Sequence, residues 1–213
     1  MTGSRYIFLG PQGSGKGTQA QALAGFLGVP HISTGEIFRQ MAAAGDPLGV
    51  KARDEYFSKG ILVPDEVTNA LVKQRLQQAD AAGGFILDGY PRNLVQAEFL
   101  ARLNTEVAAI YLTLSDEEAV KRITGRRSCS VCGTVYHVQF KPPVKPDVCD
   151  SDGAPLLQRV DDTEPLVRDR LVTFHKQTEP LLEFYRQRGQ LIKVDGTPPI
   201  PEVTARLRKN LGV

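Results

Sequence analysis

Cysteine is scarce in this chain of 213 residues, and an odd count of three argues against a disulfide framework. Long apolar runs are missing as well. No stretch approaches the roughly 18 residues of a membrane-spanning helix, so we expect no membrane partner. Charge is balanced, with 26 basic and 24 acidic residues, and a net charge of +2 gives no indication of nucleic-acid binding. The length still suffices for one α/β domain with insertions and a sizeable core.

A glycine-rich motif at residues 10–18 is the most informative feature, reading Gly-Pro-Gln-Gly-Ser-Gly-Lys-Gly-Thr. It follows an apolar run at 6–9 and precedes a helix-compatible segment, which is the context of a phosphate-binding loop. Glycines let backbone N–H groups approach phosphate oxygens, while the helix N-terminus and Lys16 supply positive charge. Gly17 stands where this loop usually has Ser or Thr, and Thr18 follows. The flanking strand and helix favour this interpretation over an ordinary glycine-rich loop with a surface lysine.

Residues 1–5 lead directly into that loop and lack the apolar run and cleavage site of a secretory signal. A phosphate-binding site so close to the N-terminus also argues for a cytoplasmic enzyme. We therefore expect a cytoplasmic location.

Short apolar runs alternate with helical patterns, which predicts βαβ units and a parallel sheet buried on both faces. A long amphipathic helix is expected from about Thr163 towards Arg188, with Pro180 kinking it or ending its first part. Two helix starts, at 33–36 and 115–118, have the sequence of a capping box. The predicted strands are 6–9, 29–32, 85–87, 108–112 and 191–194.

The helical period is lost from 126 to about 158, where cysteines, glycines, prolines and β-formers predict a small β-rich insertion. All three cysteines lie there, in the pattern C-x2-C-x16-C-x2-D of Cys129, Cys132, Cys149 and Asp152. Two such knuckles can bring four ligands into tetrahedral geometry around zinc, and thiolates with one carboxylate suit Zn²⁺.

The fourth ligand has competitors in the sequence, because Asp150 and His137 could also supply it in place of Asp152. The alternative without metal is three buried thiols beside a surface aspartate, which the clustering and spacing disfavour. A closed four-ligand site would be structural, holding together a segment too small to have its own core.

Five further motifs follow the loop in order. They are Ser-Thr-Gly-Glu-Ile-Phe-Arg at 33–39, Gly-Ile-Leu-Val-Pro-Asp-Glu at 60–66, Gly-Phe-Ile-Leu-Asp-Gly-Tyr-Pro-Arg at 84–92, Gly-Arg-Arg at 125–127 and Arg-Val-Asp-Asp at 159–162. Their order and spacing resemble the adenylate kinase family of nucleoside monophosphate kinases, in its long form with a zinc-bearing lid. The resemblance covers essentially the whole chain. Many zinc-bearing lids have cysteine where Asp152 stands here.

The resemblance implies an α/β fold of P-loop type in three layers, with a central five-stranded parallel sheet flanked by helices. The core domain would comprise 1–33, 64–125 and 164–213, the helical AMP-binding domain 34–63, and the small β-rich lid with its zinc site 126–163. The implied reaction is reversible, Mg²⁺-dependent transfer of the terminal phosphoryl group of ATP to AMP. It gives two ADP and maintains adenine nucleotide balance. The expected partners are these nucleotides, and the expected state is a monomer.

Phosphoryl transfer requires in-line positioning and positive charge around the moving group rather than covalent chemistry. By the resemblance, Lys16 holds the donor's terminal phosphates, and Asp88, which ends an apolar strand, organises Mg²⁺ through its waters. Arginine suits the remaining positions because its planar fork binds phosphate oxygens bidentately. The implied set is Arg39 and Arg92 on the acceptor phosphate, with Arg126, Arg159 and Arg170 closing over the transferring group.

The resemblance also implies two sets of nucleotide contacts. The ATP contacts are Gly13, Ser14, Gly15, Lys16, Gly17, Thr18, Arg122, Arg126, Val135, Tyr136 and Pro198. The AMP contacts are Thr34, Gly35, Arg39, Ile61, Leu62, Val63, Gly89, Arg92, Gln96, Arg159 and Arg170. Thr34 and Gln96 are expected to read the acceptor base, and Arg122 to stack on the donor adenine.

Three residues keep two interpretations each. His137 could contact the donor nucleotide or serve a structural purpose. Asp161 and Asp162 could pair with lid arginines, or cap the helix that follows them, or do both.

The nearest alternative function is the same fold acting on other bases, as a GTP:AMP phosphotransferase or a UMP/CMP kinase. A zinc-ribbon protein that binds nucleic acid would use the Cys-x2-Cys knuckle and Arg126-Arg127, but the balanced charge argues against it, so no nucleic-acid partner is expected. A P-loop hydrolase would need a water-positioning residue after Asp88, and none is evident.

Overall fold

The computed structural model describes residues 4–103 and 106–213. Its strands are β1 (Ser4–Leu9), β2 (His31–Ser33), β3 (Gly84–Asp88), β4 (Ala108–Thr113), β5 (Arg126–Cys129), β6 (Val135–His137), β7 (Leu156–Leu157) and β8 (Leu191–Asp195). Its α-helices are α1 (Lys16–Leu27), α2 (Thr34–Ala43), α3 (Pro47–Lys51), α4 (Asp65–Leu76), α5 (Leu94–Arg102), α6 (Asp116–Thr124), α7 (Glu164–Thr173), α8 (Pro180–Gln187) and α9 (Ile200–Leu211). Shorter π and 3-10 turns lie at Ala52–Tyr56, Phe57–Lys59, Ala79–Ala81 and Phe174–Thr178.

The central sheet has five parallel strands in the order β2-β3-β1-β4-β8, which confirms the predicted fold class. Side chains alternate between two cores along each strand. In β1, Ile7 packs in a core shared with Leu181 of α8, whereas Phe8 packs on the opposite face with Leu23 of α1 and Leu207 of α9. Because helices cover both faces, the strands contain continuous apolar runs, and these runs made them recognisable in the sequence.

The carboxyl ends of three strands meet at one edge of the sheet. Phe8 in β1 is in register with Asp88, and Ser33 at the end of β2 is in register with the same residue. The glycine-rich loop after β1 and the start of α2 after β2 are therefore neighbours of Asp88. In open α/β sheets, ligands bind outside this edge.

A small second sheet of antiparallel strands, in the order β6-β5-β7, lies between residues 126 and 157 and confirms the predicted β-rich segment. It has a core of its own, composed of Cys129, Tyr136, Cys149 and Leu156. This core is too small to hold the segment together without a cross-link, which the cysteine cluster can supply.

The chain between β2 and α4 is helical, and its elements pack closely. A Cβ on Gly49 of α3 would lie 2.2 Å from the backbone nitrogen of Ala42 in α2, so only glycine permits this approach. Phe38, Ala52 and Val63 form a separate small core within the segment. The prediction of an independent AMP-binding domain at 34–63 remains a prediction.

The long helix predicted after residue 163 is present, but it has two α-helical parts. A π turn at Phe174–Thr178 joins α7 to α8, and the amide of Glu179 donates to the carbonyl of Phe174 at 2.9 Å. Pro180 follows at the first position of α8, and because it has no N–H it cannot donate to a carbonyl of the preceding turn. The predicted interruption is therefore a change of helical pitch.

The two predicted capping boxes have different outcomes. At α6, Ser115 accepts a hydrogen bond from the Glu118 amide at 3.3 Å, as predicted. At α2, the prediction of a cap is wrong, because the Ser33 side chain makes no capping bond and Glu36 instead accepts from Arg39. Among residues 4–103 and 106–213, no helix combines the length and apolarity required to cross a bilayer.

Candidate functional site

The turn between β1 and α1 uses three glycines with positive φ, at Gly10, Gly13 and Gly15. A Cβ on Gly10 would lie 2.4 Å from the carbonyl oxygen of Leu112, so the loop can pass the neighbouring strand only with glycine there. Helix α1 then begins at Lys16 with no side-chain cap, and its first N–H groups remain available to a ligand. This is the backbone arrangement of a helix-terminal anion site.

Lys16 lies over this loop, and its Nζ donates to the carbonyl oxygens of Gly10 and Pro11, both at 2.7 Å. Burial is the main cause that lowers the pKa of Lys16 to about 7; Asp88 opposes this shift, and three arginines add to it. The arginines are Arg92, Arg170 and Arg126. Residues far apart in the sequence thus act on one ammonium group, and an anion bound there would restore its charge.

Asp88 ends β3 beside the start of α1. Burial alone would raise the pKa of Asp88, but His31, Lys16 and Arg92 together lower it below its usual value. The Nε2 atom of His31 is 3.7 Å from Oδ2 of Asp88, which is an ion-pair distance rather than a hydrogen bond. Asp88 is therefore a largely buried carboxylate that its basic neighbours keep ionised.

Two arginines are held by adjacent aspartates at the start of α7. The fully buried Asp162 accepts from Arg126, with Nε at 2.8 Å and Nη2 bound to the second carboxylate oxygen. Arg170 pairs with Asp161 at 2.8 Å and also donates to the carbonyl of Asp161. Of the interpretations open for these aspartates, pairing with an arginine of the predicted lid is observed for Asp162, whereas the partner of Asp161 belongs to α7. Thr163, rather than either aspartate, is the N-terminal cap residue of α7.

Asp162 raises the pKa of Arg126, whereas burial and repulsion from other arginines lower the pKa of Arg159 and Arg170. Burial, then Arg126 and Arg39, lower the pKa of Arg159 to about 9. Burial is also the main cause that lowers the pKa of Arg170 to about 10. Both guanidinium groups are thus poorly hydrated and lie beside other cations, and a bound polyanion would stabilise their charged forms.

Two residues that are predicted to bind AMP donate hydrogen bonds to the carbonyl of Gly89. Thr34 donates to it from Oγ1 at 3.1 Å, and Arg92 donates from Nε at 2.8 Å. Gly89 itself has φ +78°, and its missing Cβ would lie 3.1 Å from Nη2 of Arg92. The arrangement fixes the Arg92 guanidinium at the carboxyl end of β3, near Asp88.

The Gln96 amide has internal partners that use one of its N–H groups and one of its oxygen lone pairs. Its Oε1 accepts from the Arg92 amide, and its Nε2 donates to Oδ1 of Asp65, both at 2.7 Å. Asn93 also donates to Oδ1 of Asp65, at 2.8 Å. Asp65 was not identified in the sequence, although it stands within the Val-Pro-Asp-Glu motif. It orients the amide that was expected to read the acceptor base.

The residues predicted to surround the donor base are tied to other parts of the chain. Arg122 donates to the carbonyls of Gly196 and Thr197, at 2.8 and 2.7 Å, which places it against the loop that contains Pro198. The Tyr136 side chain is buried in the core of the second sheet, so it is not available to a nucleotide. His137 accepts at Nδ1 from the amides of residues 139 and 140 and stacks on Phe140.

The remaining predicted contacts lie near these groups with different exposure. Ser14 and Val63 are buried, Thr18, Leu62 and Pro198 are partly buried, and Ile61 and Val135 are exposed. Gly35 lies beneath the Arg39 guanidinium, since its missing Cβ would be 3.3 Å from Nη1.

The four predicted metal ligands converge in the second sheet. One ligand atom each of Cys129, Cys132, Cys149 and Asp152 lies within 4.8 Å of all the others. The Sγ atoms of Cys132 and Cys149 are 3.6 Å apart, and Sγ of Cys129 is 3.3 Å from Oδ2 of Asp152. These separations match the edges of a tetrahedron with metal–sulfur bonds of about 2.3 Å, so the donor set fits zinc.

The two competing ligands are engaged elsewhere. Asp150 accepts from the Val144 amide at 2.8 Å, and His137 lies at the opposite end of its strand with Nδ1 occupied. The hydrogen bond from the Ala154 amide lowers the pKa of Asp152, which keeps its carboxylate available as a ligand. Tyr136 contacts the cluster through its hydroxyl, which lies 3.6 Å from Sγ of Cys149.

Comparison with known proteins gives a consistent result. A sequence profile described as adenylate kinase matches residues 8–190. An adenylate kinase of Archaeoglobus fulgidus is 50% identical over 202 residues, covering 92% of this chain and 93% of the relative. Those of Acetivibrio thermocellus and Ruminiclostridium cellulolyticum are 48% and 44% identical, covering 94% and 98% of this chain and 94% and 100% of the relatives.

Proposed function

The chain belongs to the adenylate kinase family, and we propose that it catalyses reversible transfer of the terminal phosphoryl group of ATP to AMP, giving two ADP. The observation that carries this proposal is the convergence of Lys16 with Arg92, Arg126 and Arg170 around the carboxyl end of β3. A hydrolase would need one phosphate site. Here Arg39 of α2 acts on Arg92, so the cations continue from the glycine-rich loop into the segment after β2. That extent suits two nucleotides placed end to end.

The glycine-rich loop would bind the donor phosphates. Backbone N–H groups at 13–18 face the phosphate oxygens, and Lys16 adds a charge that phosphate binding restores by raising its pKa. Arg39 and Arg92 would clamp the acceptor phosphate, with Thr34 and Gln96 contacting its base. Arg126, Arg159 and Arg170 would surround the transferring group and stabilise its equatorial oxygens. Closing these arginines over both substrates excludes water, the competing nucleophile.

Two metal ions complete the proposal. Asp88 would hold Mg²⁺ through water, and the ion would neutralise charge on the donor phosphates. Cys129, Cys132, Cys149 and Asp152 would hold a structural Zn²⁺ that joins the two knuckles of the second sheet. From the family resemblance we further propose that residues 126–163 act as a lid. We also propose that the protein is a cytoplasmic monomer without a nucleic-acid partner.

The test is a product assay with purified protein, Mg²⁺ and a grid of nucleoside triphosphates and monophosphates, analysed by chromatography. We expect ADP only when AMP is present, with ATP as the best donor. Preference for GTP or for a pyrimidine monophosphate would assign the same reaction to other bases. Phosphate release from ATP without an acceptor would refute the transferase proposal.

A further inference from the structure

Glu36 lies where the start of α2 meets the second sheet. Its Oε2 accepts from Arg39, at 3.2 Å from Nε and 3.1 Å from Nη2. The same oxygen is 3.8 Å from Nη2 of Arg159, which stands after the second sheet. Its Oε1 approaches Gly133, in the turn between β5 and β6. One carboxylate therefore contacts two proposed phosphate-binding arginines and a different part of the fold.

Gly133 leaves the space that this carboxylate occupies. A Cβ at position 133 would lie 2.7 Å from Oε1 of Glu36, closer than real Cβ atoms come to other atoms. The residue also has φ +72°, which L side chains rarely adopt. The turn next to Cys132 is thus shaped to receive the end of the Glu36 side chain.

Arg159 is held from two sides. Its Nε donates to Oγ of Ser128 in β5 at 2.9 Å, and Glu36 faces its Nη2. Arg39 and Arg159 repel each other, and Glu36 is the anion between them. Without that charge, the two guanidinium groups would separate and would no longer point at one ligand.

A surface ion pair alone does not account for this placement. Exposed glutamate–arginine pairs three residues apart on a helix contribute little to stability. Glu183 and Arg186 form such a pair on α8, with both side chains at least half exposed. The Glu36 side chain is only 29% exposed, and Arg159 approaches it from outside its own helix.

We propose that Glu36 is a positioning residue, which aligns Arg39 and Arg159 for the acceptor phosphate and couples the start of α2 to the turn at Gly133. This proposal rests on the proposed function, which assigns Arg39 to the acceptor phosphate, and on the implied AMP contacts, which include Arg159 as well. Glu36 does not touch substrate in this role. Its loss should therefore weaken acceptor binding and leave donor binding through the glycine-rich loop almost unchanged.

The experiment compares steady-state kinetics of the wild type, Glu36→Gln, Glu36→Asp and the matched control Glu183→Gln. We expect Glu36→Gln to raise the KM for AMP about tenfold or more, with the KM for ATP changed less than about twofold. Glu36→Asp should recover part of the loss, and Glu183→Gln should behave as the wild type. In an Arg159→Ala background, Glu36→Gln should add much less than it does alone, since coupled residues are not additive.

A second comparison tests the contact with Gly133. Gly153 has the same φ of +72°, also follows a proposed metal ligand, and has open space where its Cβ would lie. Gly133→Ala and Gly153→Ala therefore carry the same backbone strain, but only the first forces Glu36 away. We expect a raised KM for AMP in Gly133→Ala alone. Equal effects of the two substitutions would contradict the coupling.

The outcomes separate this proposal from the one it rests on. A wild-type protein that forms no ADP from ATP and AMP would overturn the proposed function and the assignment of Glu36 with it. A wild-type protein that forms ADP, while Glu36→Gln keeps the wild-type KM for AMP or raises both KM values equally, would overturn the assignment of Glu36 alone.

Discussion

Gly17 and Asp88 approach so closely that a Cβ on Gly17 would lie 3.3 Å from Oδ2 of the carboxylate. This distance is tighter than most real Cβ contacts, and the neighbour is a buried carboxylate at the end of a central strand. The close approach gives a physical reason for glycine where phosphate-binding loops usually have serine or threonine. A side chain at 17 would press on Asp88 and reduce the space between the loop and β3.

We therefore predict that Gly17→Ser lowers kcat by about tenfold or more, because the displaced carboxylate would misplace the proposed magnesium water shell. The hydroxyl that completes the usual loop motif should not improve activity here. Kinetics at saturating Mg²⁺ would measure the effect, with Gly25→Ser as the control, since a Cβ on Gly25 of α1 meets no atom within 4 Å. Wild-type kcat in Gly17→Ser would show that the contact is easily relaxed.

Proton uptake on ATP binding is the second prediction. With a pKa of about 7, Lys16 is largely neutral in the ligand-free protein above that pH, and bound phosphates would raise its pKa. The affinity for ATP should therefore fall as the pH rises from about 7 to about 9, and binding in this window should take up a proton. Calorimetry in buffers with different ionisation enthalpies measures the uptake. Lys16→Met should abolish it, and uptake that persists in this variant would assign the proton to another group.

Lys16 also makes the stability of the ligand-free protein depend on pH. Its folded pKa is lowered from 10.5 to about 7, so the unfolded chain binds more protons between these values. The free energy of unfolding should thus gain a contribution as the pH rises through about 7 towards 10. Comparison of urea unfolding curves for the wild type and Lys16→Met isolates this contribution, which should be absent from the variant.

The sequence predicted the fold because its strands are buried on both faces. Runs such as 6–9 and 108–112 are apolar without alternation, which distinguishes them from surface strands. The long helix was also recognisable, but its π turn before Pro180 was not. A kinked helix and a helix that ends before Pro180 are both compatible with a residue that has no N–H. Packing against the rest of the protein decides between them, and the local sequence does not show that packing.

The sequence predicted which arginines belong to the site, but not which carboxylates would contact them. Motif positions placed Arg39 and Arg159 in one cluster, whereas Glu36 had the spacing of a capping residue. Arg159 is 123 positions after Glu36 in the sequence but close to it in space. The spacing of residues within a motif therefore cannot reveal this ion pair. Asp65 escaped notice for the same reason, because its bond to Gln96 joins two helix starts 31 residues apart.

Zinc should stabilise the second sheet more than it affects chemistry. Cys129→Ser removes one thiolate from the cluster, and the sheet's own core is too small to compensate. We expect a melting temperature several degrees below that of the zinc-replete wild type, with activity per folded molecule changed much less. Calorimetry with added zinc or chelator measures this, and Cys129→Ser should lose the response to both. Equal melting temperatures of the variant and the zinc-replete wild type would refute a structural metal.

The buried pair of Asp162 and Arg126 leads to the last prediction. Asp162 has no exposed surface and accepts two hydrogen bonds from Arg126, while Arg170 lies 3.7 Å from it. Asp162→Ala would leave two guanidinium groups buried without this partner, and removing one member of a buried pair costs about 3 kcal/mol or more. Activity should fall as well, since Arg126 would lose the contact that orients it.

Urea unfolding measures the loss of stability, and Glu164→Ala is the matched control. Glu164 pairs with Arg168 four residues later, but both side chains are more than half exposed, so its loss should change stability little. Asp162→Asn keeps the shape and one acceptor, and we expect it to fall between Asp162→Ala and the wild type. If Asp162→Ala were no less stable than Glu164→Ala, another anion would have to compensate Arg126, and the nearby carboxylates of Asp161 and Asp88 already raise its pKa.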